Sequence, residues 1–212
     1  MRTAVFNQIG LDSGALGLLG SLVHAFADPG HYVGTALVGD DPRGEFEIVV
    51  ADDSPPSTHI DLSALGRLRR DPCCNPDQPA FRVAPGGRAV FHVGGGHERW
   101  AVLVGEPRSR EAEFDSRSLG HGDLFAATVL RPGTYKVRNA HGSGSTELVV
   151  RYVRPGKEKY TPPDPISIGM GSQASRKAVR VGPAQGIIFE ATEKARIVVA
   201  LVEPDDGPSG DR

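Results

Sequence analysis

The stretch Leu11-Asp12-Ser13-Gly14-Ala15-Leu16-Gly17 recurs 103 residues further along the chain as Phe114-Asp115-Ser116-Arg117-Ser118-Leu119-Gly120. The likeness continues downstream, where Pro29-Gly30-His31-Tyr32 corresponds to Pro132-Gly133-Thr134-Tyr135. A second kind of stretch is also repeated, because Phe81-Arg82-Val83-Ala84-Pro85 returns 98 residues later as Val179-Arg180-Val181-Gly182-Pro183. Two repeated segments in alternating order predict that the chain arose by internal duplication.

The alternating order of the segments predicts a division into two units. One unit is contiguous, from 81 to 153, and the other is split between residues 1–66 and residues 166–204. The stretches between and after them are polar and mostly rich in proline or glycine, and we predict two linkers and a disordered tail at 67–80, 154–165 and 205–212.

The split unit can be completed in two ways. Its terminal segments can meet within one chain, or the C-terminal segment of one chain can complete the N-terminal segment of the next and build a ring or a filament. The linker at 154–165 is long enough for either arrangement. Closure within one chain is favoured because the entropy cost of closing a loop grows slowly with its length. Exposed sheet edges in the incomplete parts also predict self-association into a homo-oligomer.

Composition and spacing indicate an all-β fold. The 212 residues include 27 Gly and 17 Pro, which favour short strands joined by turns. Apolar runs follow one another at the spacing of a sandwich, so we predict two Greek-key sandwiches. The predicted strands are 22–27, 32–38, 46–50, 81–83, 89–93, 100–104, 124–130, 135–137, 148–152, 179–181, 187–189 and 197–202.

The segment from Leu11 to Phe26 fits two secondary structures. Its apolar residues fall at helical spacing with Asp12 or Ser13 as a possible N-cap. However, the three glycines at 14, 17 and 20 each cost up to about 1 kcal/mol in a helix. We therefore predict a loop or a short helical turn through 12–19 and a strand over 21–27, with a helix as the alternative.

Charge and hydropathy restrict the partners. The 24 Lys and Arg residues against 26 Asp and Glu give a net charge of −2 without a basic patch, so no nucleic acid partner is predicted. No apolar run is long enough for a transmembrane segment. Residues 15–27 resemble a signal-peptide core, but they correspond to residues 118–130 inside the second unit and are assigned to the fold.

The chain has two cysteines, Cys73 and Cys74, which are adjacent. A neighbouring pair closes no loop and cannot staple a fold, so they are either two surface thiols or a vicinal or intermolecular disulfide. The low cysteine count slightly favours a cytoplasmic location over secretion, and the compartment is otherwise open.

The contiguous unit resembles the cupredoxin family over residues 81–153. The resemblance rests on His97-Glu98-Arg99-Trp100 before an apolar strand, on Ser116-Arg117-Ser118-Leu119, and on Pro132-Gly133-Thr134-Tyr135 leading towards His141. In blue-copper members this last strand ends with a copper-binding cysteine followed by a histidine. Here Arg138 occupies the cysteine position, three residues before His141. The resemblance therefore implies the sandwich fold with a degenerate copper site, because a thiolate is essential to blue-copper chemistry.

Three histidines on predicted loops are the candidate metal ligands. His97, His121 and His141 could hold copper or zinc at one end of the sandwich, joined by His92 if its strand turns inward. The fixed positive charge of Arg138 argues against a cation close to it. The alternative is that all four are ordinary surface histidines.

No catalytic motif is present, and no catalytic residues or bound cofactor are predicted. The sequence has no G-x-S-x-G, H-E-x-x-H or G-x-x-x-x-G-K stretch. We predict a non-catalytic binding or assembly protein with a degenerate cupredoxin-like site. The alternatives are a copper- or zinc-binding protein that uses His97, His121 and His141 for metal handling or redox work, and an enzyme with a small-molecule site between the two sandwiches.

Overall fold

The computed structural model describes residues 9–68, 78–107, 109, 111–151, 160–171 and 178–206. Cys73 and Cys74, most of the two predicted linkers and the tail from residue 207 onwards lie outside these ranges. What was predicted for them stays a prediction.

Nine strands and one short helix lie between residues 10 and 115. They are β1 (Gly10–Asp12), β2 (Gly20–Phe26), β3 (Gly30–Val38), β4 (Asp41–Val50), β5 (Ser57–Asp61), α1 (Leu62–Leu68), β6 (Ala80–Val83), β7 (Gly87–His92), β8 (Trp100–Gly105) and β9 (Phe114–Asp115). With seven residues, α1 is far too short to cross a membrane, and no described helix is longer.

Seven more strands lie between residues 124 and 204. They are β10 (Leu124–Thr128), β11 (Gly133–Asn139), β12 (Ser145–Val150), β13 (Ile166–Met170), β14 (Val179–Val181), β15 (Gly186–Ala191) and β16 (Ile197–Pro204). The prediction of an all-β fold is confirmed.

The strands form three sheets. A central sheet of six strands has the order β13-β15-β10-β2-β7-β5, and two sheets of five strands have the orders β6-β4-β3-β8-β9 and β1-β16-β11-β12-β14. The first five-stranded sheet belongs mostly to the first half of the chain, and the second belongs mostly to the second half. Most neighbours pair antiparallel, and the four parallel pairs are β4 with β6, β5 with β7, β12 with β14 and β13 with β15.

One face of the central sheet is buried in the core. Leu22 lies opposite Phe91 on β7 and opposite Phe125 on β10, and Phe125 lies opposite Phe189 on β15. Cross-strand partners share a side of the sheet, so these four side chains line one face. All four are fully buried. Ring contacts from Phe91 to Phe46 of β4 show that this face packs on a five-stranded sheet.

The two halves of the chain are arranged in the same way. When each strand is matched with the one eight places further along, the order β6-β4-β3-β8-β9 becomes β14-β12-β11-β16-β1, and the central sheet maps onto itself reversed. Strands β2 and β10 pair antiparallel at the middle of that sheet. The halves are therefore related by a pseudo-twofold axis between β2 and β10.

The observed grouping of strands differs from the predicted units. Residues 1–66 were predicted to complete residues 166–204, but β3 and β4 pair with β8 and β6. Residues 81–153 were predicted to form the other unit, but β11 and β12 pair with β16 and β14. Each of these pairs joins strands that are not consecutive in the chain, so the sequence order of the strands did not indicate the pairing.

Two short strands each pair with a strand from the opposite half of the chain. Strand β1 belongs to the first half and pairs with β16, while β9 begins the second half and pairs with β8. Among the described strands outside the central sheet, these are the two that leave the half to which the sequence assigns them. The β1–β16 pair brings the N- and C-terminal segments together.

The strand predictions hold best where apolar alternation is long. All twelve predicted strands overlap observed ones, and β2 begins at Gly20 where a helix was the alternative. Strands β1, β5, β9 and β13 and the helix α1 were not predicted. β5 begins at Ser57, inside a polar, proline-containing stretch that resembles a loop.

Candidate functional site

The repeated Asp-Ser pair has a structural role in the first half. Ser13 is fully buried, and its hydroxyl accepts a hydrogen bond from the Ile197 amide at 3.1 Å. The carboxylate of Asp12 accepts hydrogen bonds from both Nε and Nη2 of Arg196, at 3.0 and 2.9 Å, and this contact raises the pKa of Arg196. Asp12 and Ser13 therefore anchor the crossing strand β1 on β16.

The second copy of the pair anchors β9 in the corresponding way. Ser116 is fully buried, and its hydroxyl accepts a hydrogen bond from the Val102 amide of β8 at 2.9 Å. Asp115 accepts a bond from the Arg117 amide at 2.8 Å. The most recognisable motif of the sequence is thus used to hold the crossing strands, and neither hydroxyl is free to act as a nucleophile.

The repeated Pro-Gly-x-Tyr stretch forms two equivalent corners. The hydroxyl of Tyr32 donates to the Asp28 carbonyl at 3.0 Å, and the hydroxyl of Tyr135 donates to the Arg131 carbonyl at 2.8 Å. Each tyrosine bonds four residues back along the chain, as in the tyrosine corners of Greek-key sandwiches. Burial raises the pKa of both phenols above 10.0, so both hydroxyls remain donors at neutral pH.

The predicted metal ligands lie in separate loops or strands, and two of them form hydrogen bonds with backbone carbonyls. His121 contacts the Thr192 carbonyl through Nδ1 at 3.0 Å, and His141 contacts the Arg117 carbonyl through Nε2 at 2.8 Å. His97 is exposed in the loop before β8, and the ring of His92 lies 6.3 Å from that of His59. Within the described ranges, no three His, Cys, Asp or Glu side chains are grouped closely enough to hold a metal ion.

A largely buried histidine that was not predicted links the two halves of the chain. His24 of β2 bonds through Nδ1 to Asp123, just before β10, at 2.6 Å. Its ring lies 4.7 Å from that of Phe26 and 4.8 Å from that of Phe114, and Nε2 is buried 3.8 Å from Glu113. A substrate cannot reach this enclosed nitrogen, so the contact stabilises the junction. His24 falls at an inward position of its strand alternation, and this was the available signal.

A second polar cluster lies at the β5 edge of the central sheet. Asp61 accepts hydrogen bonds from the amide and hydroxyl of Ser63 at 2.9 and 2.7 Å, and from the Gly94 amide at 3.0 Å. Burial raises the pKa of Asp61, but these bonds and nearby His92 outweigh burial and hold that pKa below 3.8. The cluster ties α1 and the loop after β7 to the sheet edge.

The second side of the central sheet is open, and we call it the central face. None of its side chains belongs to the buried core, and each is partly or fully exposed. It consists of Ser21, Val23 and Ala25 on β2, Leu124, Ala126 and Thr128 on β10, Arg88, Val90 and His92 on β7, Ile188 and Glu190 on β15, and the edge residues His59, Asp61 and Ser167.

The middle of the central face is apolar. Leu124 pairs with Val23, which pairs with Val90, and in the next row Ile188 pairs with Ala126. These five side chains form a continuous patch across four strands, bounded by charged and polar groups. A flat apolar patch with a polar rim is typical of a surface that binds another macromolecule.

The outward faces of the two five-stranded sheets combine exposed charges with the exposed apolar side chains of Val33 and Leu103. Arg43 and Glu45 lie outward on β4, Lys136 and Arg138 on β11, and Glu147 on β12, all of them exposed. Charges at the middle of a sheet face keep that face in water. The central face is therefore the candidate functional surface.

Comparison of the chain with protein families, with curated proteins and with solved structures finds no match in any of the three.

Proposed function

We propose that this protein is a non-catalytic binding or assembly protein made of two duplicated, cupredoxin-like Greek-key sandwiches, and that the central face is its working surface. Each sandwich consists of one five-stranded sheet packed on half of the central sheet. The cupredoxin-like metal site is degenerate in this proposal.

Equivalent details in the two halves support a duplication. The strand orders correspond, the two tyrosine corners correspond, and Ser13 and Ser116 bind the last strand of the opposite half in the same way. Agreement in topology and in side-chain hydrogen bonds at matching positions is difficult to obtain by convergence. It also accounts for the 103-residue repeat in the sequence.

The surroundings of Arg138 support a degenerate metal site. This residue lies at the place of the cupredoxin cysteine, and it is exposed on β11 between Ser145 and Val198. A guanidinium offers no lone pair to a metal and carries a fixed positive charge. His141 is occupied with the Arg117 carbonyl.

The apolar middle of the central face is the observation that carries the proposal. A monomer exposes apolar patches of this kind mainly where a partner binds. The patch lies on β15, β10, β2 and β7, each of which is paired with a strand on both sides. Such a surface suits docking without backbone rearrangement.

Dye binding to the whole protein tests this surface. At about 1 μM protein, where separate copies stay apart, the dye 1-anilinonaphthalene-8-sulfonate reports exposed apolar surface through its fluorescence. We expect enhanced fluorescence with the folded protein and at least a twofold loss of the enhancement with Leu124→Glu, because a carboxylate then lies in the middle of the patch.

The matched control is Leu103→Glu, which places the same charge on the outward face of β8, where Leu103 is 40% exposed. Circular dichroism and thermal melting establish that both variants fold. Absence of enhancement with the unchanged protein, or an equal loss with both variants, would contradict a binding role for the central face.

Metal analysis of the purified protein tests the degenerate site. We expect neither copper nor zinc in stoichiometric amount, and no change on His141→Ala, which removes an exposed side chain. Stoichiometric metal that disappears on His141→Ala would overturn this part of the proposal.

A further inference from the structure

We propose that the central face binds the central face of a second copy of this chain, in a twofold dimer whose axis runs along the strands between β2 and β10. The inference rests on the proposed function and names its partner. It is carried by the distribution of apolar and charged side chains over the face.

Two exposed side chains of opposite charge lie towards the two ends of the face. At one end, the exposed Arg88 lies on β7 with His59 on the neighbouring β5. At the other end, the exposed Glu190 lies on β15. Within the described residues neither Arg88 nor Glu190 has an ion-pair partner. The apolar patch separates Arg88 from Glu190. The Arg88 end also carries Asp61, whose carboxylate already accepts hydrogen bonds from Ser63 and Gly94.

The pairing register determines what a second copy brings to each position. Glu190, Leu124, Val23 and Val90 form one row across the sheet, because each pairs with the next. A twofold axis parallel to the strands at the centre of this row exchanges β15 with β7 and β10 with β2. Glu190 of one copy then lies over Val90 of the other, one outward position from Arg88. Leu124 lies over Val23.

This axis is better than the perpendicular axis in the plane of the sheet. Rotation about an axis across the strands returns each strand to itself. With that axis midway between the two apolar rows, Glu190 would face Ile188 of the same strand in the other copy. Opposite charges would then stay apart. The axis along the strands creates two equivalent Glu190–Arg88 contacts and covers both apolar patches, as an isologous interface requires.

The size of the face indicates a weak dimer. Six strands about 4.8 Å apart and about five residues long offer roughly 500 Å² per copy, near the lower limit for a specific interface. We therefore expect a dissociation constant on the order of 10–100 μM. The net charge of −2 adds little repulsion between copies.

Sedimentation velocity of the whole protein over a concentration series tests the dimer. The unchanged protein, of 22.5 kDa, is expected to move from monomer towards dimer as its concentration rises through the expected dissociation constant. Glu190→Arg brings like charges together at both contacts and should weaken the dimer about tenfold. Arg88→Glu should weaken it by a similar factor.

The double variant Glu190→Arg with Arg88→Glu restores opposite charges and should restore most of the dimer. This rescue cannot come from a general effect on folding. The matched control is Glu45→Arg, an exposed charge reversal on β4 that lies away from the face and should leave sedimentation unchanged.

The outcomes separate this inference from the function on which it rests. A strict monomer at every concentration, or association that Glu190→Arg leaves unchanged, overturns the dimer. If the dye still binds in a Leu124-dependent manner, the central face is a binding surface whose occupant is another macromolecule. If dye binding fails as well, the proposed function itself is contradicted.

Discussion

Gly86 and Ala184 occupy equivalent turns in the two halves of the chain. The amide of Gly86 donates to the Phe26 carbonyl at 2.7 Å, and the amide of Ala184 donates to the Val129 carbonyl at 2.9 Å. Both residues have positive φ, 72° for Gly86 and 59° for Ala184. Glycine adopts this conformation without cost, whereas alanine is strained there by about 1–2 kcal/mol.

This pair predicts opposite effects of opposite substitutions. Ala184→Gly should stabilise the protein by up to about 1 kcal/mol, since relief of strain exceeds the added entropy of the unfolded chain. Gly86→Ala should destabilise it by about 1 kcal/mol, and no atom lies within 4 Å of the new methyl group to add a clash. Urea denaturation measures both changes. Destabilisation by Ala184→Gly would refute the account of this turn.

Asp61 predicts an acid-dependent part of the stability. Its pKa in the folded protein lies below the ordinary value of 3.8. A depressed pKa stabilises the fold above the unfolded-state pKa, and this stabilisation is lost as the pH falls through the folded-state pKa. Asp61→Asn should therefore lower the free energy of unfolding at pH 7 and flatten its fall below about pH 4.

Urea denaturation at a series of pH values from about 2 to 7 would measure how the free energy of unfolding depends on pH. Asp52→Asn is the control, because Asp52 is exposed in the loop between β4 and β5. Equal pH profiles for Asp61→Asn and the unchanged protein would count against a role for Asp61.

Residue roles were only partly predictable from the sequence. The repeated Asp12-Ser13 and Tyr32 positions stood out as motifs, but their partners Ile197 and Asp28 could be identified only once the chain path was known. His24 carried one signal, its inward place in the strand alternation. Strain at Ala184 left no mark in the sequence except its correspondence to Gly86.

At the level of elements, the crossing strands are the most distinctive feature. Strands β1 and β9 have three and two residues, too few for an alternating pattern to be seen. Each is followed by a longer strand of the central sheet: β1 by β2, and β9 by β10. Each connection then returns to its own half. In the β1–β2 connection Leu16 pairs with Trp100 of the first half, and in the β9–β10 connection Leu119 pairs with Ala195 of the second.

The anchors of the crossing strands predict a measurable loss of stability. Ser13→Ala and Ser116→Ala each leave a buried amide, of Ile197 or Val102, without its acceptor. Each should lower the free energy of unfolding by about 1–3 kcal/mol. Ser118→Ala, on the same connection, has no side-chain hydrogen bond in the structure and should change stability by less than about 0.5 kcal/mol. Anchor variants that match this control would argue against the anchoring role.

Alternation of apolar residues predicted the longer strands well, because one buried face imposes a period of two. It did not predict their partners. Apolar faces determine which side of a strand is buried, but they carry no information about which neighbouring strand supplies the hydrogen bonds. The predicted unit of residues 1–66 with 166–204 therefore groups the strands differently from the structure.

At the level of the whole molecule, the pseudo-twofold arrangement creates the central face. Each half needs one side of β2 or β10 for its own core, and joining the halves through these strands leaves the second side of six strands open. The self-association predicted from sheet edges remains a prediction, and the dimer that we propose uses a sheet face instead. The sequence could not indicate this face, since Val23, Leu124 and Ile188 lie far apart along the chain.

The molar mass from light scattering, measured as the loaded concentration rises, tests the central claim most directly. The account predicts a mass that starts at 22.5 kDa and climbs towards twice that value, with the climb abolished by Leu124→Glu and retained by Leu103→Glu. A mass that stays at 22.5 kDa at every load, or that climbs equally in the Leu124→Glu variant, would contradict it.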